Sequence, residues 1–122
     1  MPKTILIIDD DELFLAVIQI RLEQEGFHVV KCETGEDGVG LFQQLNPDIV
    51  LLDIRLPSIS SGEVFKKIKT LNPDAKIITI SAYVSSTTEE EEKIRGAASF
   101  YDKALQTEKL IADIRIALGT YS

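Results

Sequence analysis

The stretch Pro47-Asp48-Ile49-Val50-Leu51-Leu52-Asp53-Ile54-Arg55-Leu56-Pro57 constrains the fold more than any other part of the chain. An apolar run this short, bounded by turn formers, reads as a strand buried on both faces, and such strands belong to parallel sheets covered by helices. The strand delivers the carboxylate of Asp53 at the sheet's C-terminal edge, where open α/β sheets bind their ligands. Taken alone, Asp53 reads better as an N-cap or turn residue. The rest of the chain decides between these readings.

Taken in order, apolar runs alternate with helical patterns. Thr4 to Ile8 is a strand that ends in Asp9-Asp10-Asp11-Glu12. From Leu13 to Glu25, the residues Phe14, Leu15, Ile18 and Leu22 fall at helical spacing, with Gly26 placed as a C-terminal cap. A short strand over Phe27 to Lys31 follows, then a helix from Glu36 to Leu45 with Val39, Phe42 and Leu45 on one face, closed by Asn46-Pro47. After the strand Ile49 to Leu52, a third helix turns Val64, Phe65 and Ile68 inward, and Lys76 to Ile80 forms a fourth strand leading into Ser81. Ala82 to Arg95 is a polar fourth helix, with Thr88 and Glu91 as a capping box and only Val84 and Ile94 as large aliphatics. It is expected to be short or mobile. Ala97 to Tyr101 is a fifth strand, and Thr107 caps a last helix with Leu110, Ile111, Ile114 and Leu118 as its apolar face and Gly119 at its end.

Five rounds of strand and helix, joined by right-handed crossovers, make all five strands parallel. Their C-terminal ends then share one edge, which carries Asp9, Asp10, Asp53, Ser81 and Lys103. The 122 residues fit one domain, 1–122, with a single core. A formal charge of −7 repels phosphate backbones and anionic lipid, so neither direct nucleic-acid binding nor membrane binding is expected, whereas divalent cations are attracted. The N-terminal apolar run is too short for a signal-peptide core, which points to a cytoplasmic protein. Cys32 is the only cysteine, which excludes an internal disulfide, and its apolar setting suits packing.

Three carboxylates at one edge repel one another unless a positive charge sits among them. A hard divalent cation such as Mg²⁺ answers this, being held by one or two carboxylates together with a phosphoryl group. Lys103 adds a fixed ammonium and Ser81 a hydroxyl. These are the parts that phosphoryl transfer requires, with Asp53 as the nucleophile.

In Ile5-Leu6-Ile7-Ile8-Asp9-Asp10-Asp11, the Pro47 to Pro57 run, Ile80-Ser81-Ala82 and Gly96-Ala97 leading to Lys103, the chain resembles the CheY-like receiver domains of bacterial two-component response regulators along essentially its whole length. The resemblance implies a flavodoxin-like (βα)5 doubly wound sandwich with strand order 2-1-3-4-5. It implies a phosphorylation-controlled switch in which Asp53 takes a phosphoryl group from the phosphohistidine of a sensor histidine kinase or phosphotransfer protein. The acyl phosphate then changes the face made by the fourth helix, fifth strand and fifth helix, to regulate a downstream protein or an output domain. Asp10 and Asp53 are implied Mg²⁺ ligands, with Mn²⁺ as a substitute; Asp9 acts largely through water, and the backbone carbonyl of Arg55 completes the protein's share. Ser81 matches the hydroxyl that moves toward the phosphoryl oxygens. Phe100 matches the aromatic that turns inward with it, the alternative being a core aromatic on strand five. Such a protein is not an enzyme toward other substrates and catalyses only its own phosphorylation and dephosphorylation. A phosphorylation-dependent dimer is among the expected partners, and the chain either works alone or is the receiver of a longer regulator.

Several residues depart from the family pattern. Ala104 follows the lysine where proline is usual, and a non-proline cis bond there costs about 2.5–4 kcal/mol. Ser60-Ser61 replaces the usual Asp/Asn-Gly, with glycine displaced to Gly62. Arg55 and Tyr83, two residues beyond Asp53 and Ser81, occupy positions that flank the phosphoryl group, where a long cation and a bulky ring obstruct the attacking water and slow self-dephosphorylation; the alternative is that both face solvent. Rival readings are a degenerate receiver that docks without phosphorylation and a haloacid-dehalogenase-like phosphatase using Asp9. The second lacks the threonine expected two residues after Asp11, where Leu13 stands. A flavodoxin-like FMN module needs glycine and hydroxyl donors in the first loop, which is acidic here.

Overall fold

A computed structural model describes residues 2–56, 59–81, 97, 99–103 and 106–119. Five strands, β1 (Thr4–Ile8), β2 (His28–Cys32), β3 (Ile49–Asp53), β4 (Ile77–Ser81) and β5 (Ser99–Asp102), form one sheet in the order β2-β1-β3-β4-β5. Every neighbouring pair is parallel. Among the described residues the helices are α1 (Glu12–Gln24), α2 (Gly35–Leu45), α3 (Ser61–Leu71) and α4 (Thr107–Leu118). The expected flavodoxin-like doubly wound architecture is therefore the observed one. The expected fourth helix over residues 82–95, with Tyr83, lies outside the described residues, as does Ala104.

Side chains of a strand alternate between faces, so a central strand of aliphatics feeds two cores at once. Ile5, Ile7, Ile49 and Leu51 point to one side, where they meet Leu15, Ile18 and Leu22 of α1 and Leu110, Ile111 and Ile114 of α4. Leu6, Ile8, Val50 and Leu52 point to the other, against Phe42 of α2 and Val64, Phe65 and Ile68 of α3. All eight strand residues are at most 1% exposed, which explains why β1 and β3 read as unbroken apolar runs and not as alternating ones. Helix α2 approaches the sheet closely because Gly38 has no Cβ; one built there would overlap the Ile8 side chain, and one on Gly35 would overlap Ile59 and Val64.

Helix ends follow local chemistry. Asp11, Thr34 and Ser60 cap α1, α2 and α3, their side chains accepting from the N–H groups of Phe14, Asp37 and Glu63. Gly26 (φ +93°) follows the α1 C-cap, and Asn46 (φ +48°) ends α2 in the left-handed conformation. Three expectations are corrected. Gln106, not Thr107, occupies the α4 N-cap: Gln106 is extended and Thr107 is already helical. Leu45 is 42% exposed, since it sits in the last turn of α2 where the chain leaves the sheet. Strands β2, β3, β4 and β5 end one residue later than expected, because backbone pairing continues past the last aliphatic side chain: Ile54 N–H donates to the Ile80 carbonyl at 3.0 Å and Lys103 N–H to the Ser81 carbonyl at 2.8 Å.

Candidate functional site

The register carries three strand ends to one place. Ile8 pairs with Leu52, so Asp9 emerges beside Asp53, and Ser81 pairs with Asp102, so Lys103 emerges beside the end of β4. Carboxylate oxygens of Asp9, Asp10 and Asp53 lie within 4.8 Å of one another. The Lys103 ammonium stands 2.7 Å from Asp9 Oδ2, 3.8 Å from Asp53 Oδ2 and 3.9 Å from Asp11 Oδ2. Four of the five residues expected at this edge are thus within direct electrostatic reach of one another. The fifth, Ser81, is fully buried as the last residue of β4, joined to Lys103 through the backbone.

The acidic run divides its work. Asp9 is fully buried; its N–H donates to the Cys32 carbonyl at 3.1 Å and its Oδ1 accepts from the Asp11 N–H at 2.9 Å. Asp10 is exposed, and Asp11 caps α1 through Phe14 N–H at 3.1 Å. Asp53 is 5% exposed and its Oδ1 accepts from Arg55 N–H at 3.0 Å. Burial raises the Asp53 carboxyl first and the charge of Asp9 raises it further; the Arg55 N–H and Lys103 oppose this incompletely, and it is pushed up to about 7.

Once Asp53 gives up its proton, the carboxylates gathered here outnumber the single ammonium, an imbalance that a divalent cation would meet. Asp9 Oδ2 is a buried oxygen 2.7 Å from the Lys103 ammonium that makes no hydrogen bond among the described residues. An all-oxygen set of this kind suits Mg²⁺ or Mn²⁺, not a soft metal. The residues present fit such an ion, and Asp9, Asp10 and Asp53 are the side chains that could hold it.

Phe100 is half-buried and packs at the edge of the α2/α3-side core, while its neighbour Tyr101 is 2% exposed in the opposite core. Arg55 is exposed and touches Asp53 through its backbone N–H. Cys32 packs as expected: its thiol donates to the Thr34 carbonyl at 3.7 Å, and burial with nearby Asp37 pushes it up to about 12, far from thiolate chemistry.

Two contacts escaped the sequence reading. Ser61 is fully buried at the start of α3, and its hydroxyl donates to the backbone carbonyl of Asp53. The departure from the family's glycine at this point was its only signal. Phe14 places its ring 4.6 Å from the Lys103 ammonium. Helical spacing marked it only as a core residue, although it lies in the first turn after the acidic loop.

Comparison with known proteins agrees with this geometry. A family model described as the response regulator receiver domain matches residues 5–115. The polar-differentiation response regulator DivK of Brucella anthropi is 29% identical over 121 residues, covering 98% of each chain. A CheY-like receiver domain protein of Methanospirillum hungatei superposes with a TM-score of 0.91 at 28% identity, over 98% of this chain and 95% of that one. The response regulator TrrA of Thermotoga maritima, solved in complex with Mg²⁺-BeF, gives 0.84 at 30% identity, over 95% of this chain and 99% of that one.

Proposed function

Because this chain belongs to the response regulator receiver domain family, we propose that residues 1–122 act as one receiver, a cytoplasmic phosphorylation-controlled switch of two-component signalling whose phosphoacceptor is Asp53. The observation that carries the reading is the meeting of Asp9, Asp10 and Asp53 within 4.8 Å, with the Lys103 ammonium among them. The relative solved with Mg²⁺-BeF supports a magnesium-dependent site.

The Asp53 carboxylate oxygen forms a bond to phosphorus while the phosphorus–nitrogen bond of a phosphohistidine breaks, and the departing imidazole keeps the electron pair. The donor is a sensor histidine kinase or a phosphotransfer protein. Lys103 offsets charge on the transferred oxygens and holds Asp9 in place, and the Ser81 hydroxyl donates to those oxygens. Bound at Asp9, Asp10 and Asp53, with the Arg55 carbonyl as a further ligand, Mg²⁺ or Mn²⁺ would neutralise the carboxylates and polarise the phosphoryl group. Attack of water on phosphorus later restores the carboxylate and releases inorganic phosphate; Arg55, two residues beyond Asp53, obstructs that water and lengthens the lifetime of the acyl phosphate. Its added charge shifts Ser81 and Phe100, and with them the face of β5 and α4 that a downstream protein, an output domain or a second copy recognises.

Intact mass measured after incubation with Mg²⁺ and acetyl phosphate tests the reading. One added phosphoryl group is expected on the wild type and none on Asp53→Asn. An unchanged wild-type mass favours a docking module that works without phosphorylation, and label on Asp9 favours the dehalogenase-like alternative.

A further inference from the structure

We propose that Phe14 is a positioning residue for phosphoryl transfer: the face of its ring holds the Lys103 ammonium at the carboxylates of Asp9 and Asp53. The inference rests on Asp53 being the phosphoacceptor. Lys103 Nζ lies 4.6 Å from the Phe14 ring centroid, and the lysine side chain is only 11% exposed. An ammonium withdrawn this far from water needs its charge met in more than one direction. The carboxylates meet it on one side, and the negative face of an aromatic ring meets it on another, an attraction that grows as water is excluded.

Lysine has a flexible four-carbon stem, so the backbone bond from Lys103 to Ser81 fixes where the stem starts and not where the ammonium ends. The nearest acid, Asp9 at 2.7 Å, competes for it with Asp53 at 3.8 Å. The ring supplies a fixed reference between them. It is itself fixed twice, because the Phe14 N–H donates to the Asp11 cap at 3.1 Å and the side chain packs at the rim of the α1/α4-side core. Leucine would fill this half-buried place but lacks the quadrupole.

Phe14 replaced by mono-, tri- and pentafluorinated phenylalanine keeps its shape while the ring face loses its negative potential. The rate of phosphorylation by acetyl phosphate with Mg²⁺ is expected to fall stepwise along this series, by about three- to tenfold overall. Phe14→Leu should fall similarly, and Phe14→Tyr, which keeps the face, should recover most of the loss. In a Lys103→Met background the series should be flat. Equal rates across the series, or the same slope without the lysine, would overturn the proposal by showing that the ring only packs. A second readout needs no phosphoryl chemistry: NMR should place the Lys103 Cε protons upfield through the ring current, and Phe14→Leu should remove that shift. Absence of the shift in the wild type defeats the positioning role, whereas a ring-current shift in a protein that never gains phosphate defeats the phosphoacceptor reading and the proposal with it.

Discussion

Helices α1 and α3 both begin at the site, on opposite faces of the sheet, and they serve it differently. Helix α1 meets it with charge and ring: Asp11 lies 3.9 Å from the Lys103 ammonium and Phe14 stacks beneath it. Helix α3 meets it through the main chain, as Ser61 donates to the carbonyl of Asp53 itself, while Ser60 caps the helix. One layer manages electrostatics and the other fixes where the Asp53 peptide lies. The charge balance at this edge can therefore vary without moving the Asp53 main chain.

The largest expected effect falls on Asp53, which both layers serve and neither neutralises. Between the ordinary carboxyl value of 3.8 and about 7, the unfolded chain has released this proton while the folded chain retains it. Stability without metal should therefore fall as pH rises across that window, by on the order of 3 kcal/mol, and Asp53→Asn should abolish this component. Urea unfolding at both ends of the window in EDTA measures it, and Mg²⁺ at the upper end should restore the loss. Next comes the α1 side. Lys103→Met should slow phosphorylation by acetyl phosphate about a hundredfold, with Asp53 still in position. On the α3 side, Ser61→Ala leaves a carbonyl in a buried setting without its hydroxyl donor and should cost about 1–2 kcal/mol. Its phosphorylation rate should drop further than that of Ile68→Val, a core change of similar cost in the same helix; equal rates would mean that α3 contributes stability alone. Smallest is Ser60→Ala, a lost cap worth about 1 kcal/mol in thermal or urea unfolding, with no change in rate beyond that of a matched destabilisation.

Most of the fold was legible because apolar density reports burial, and β1 and β3 are buried on both faces. Strand ends were less so: Ser81 and Asp102 belong to strands through backbone pairing, which leaves no trace in hydropathy. At the site, Asp9, Asp10, Asp53 and Lys103 could be placed by topology alone, since parallel strands deliver their ends to one edge. Asp11 reads as one more acid in a run, and only the helix geometry shows it capping α1 and donating its N–H to Asp9. Ser61 and Phe14 were hidden for another reason. Their partners, a carbonyl at the end of β3 and an ammonium after β5, are distant in the chain and come close only in three dimensions.

The alternation of Ile5, Leu6, Ile7 and Ile8 between the two cores has a further consequence. Slipping β1 by one residue would exchange the two faces and put Asp10 where Asp9 is buried. The aliphatic side chains are similar enough in size to tolerate that error, but the carboxylates are not equivalent, because only Asp9 meets the Lys103 ammonium at 2.7 Å. The edge charges thus pin the register of a strand whose aliphatic side chains alone would leave it loosely specified, since a slipped β1 forfeits the buried carboxylate that meets the Lys103 ammonium.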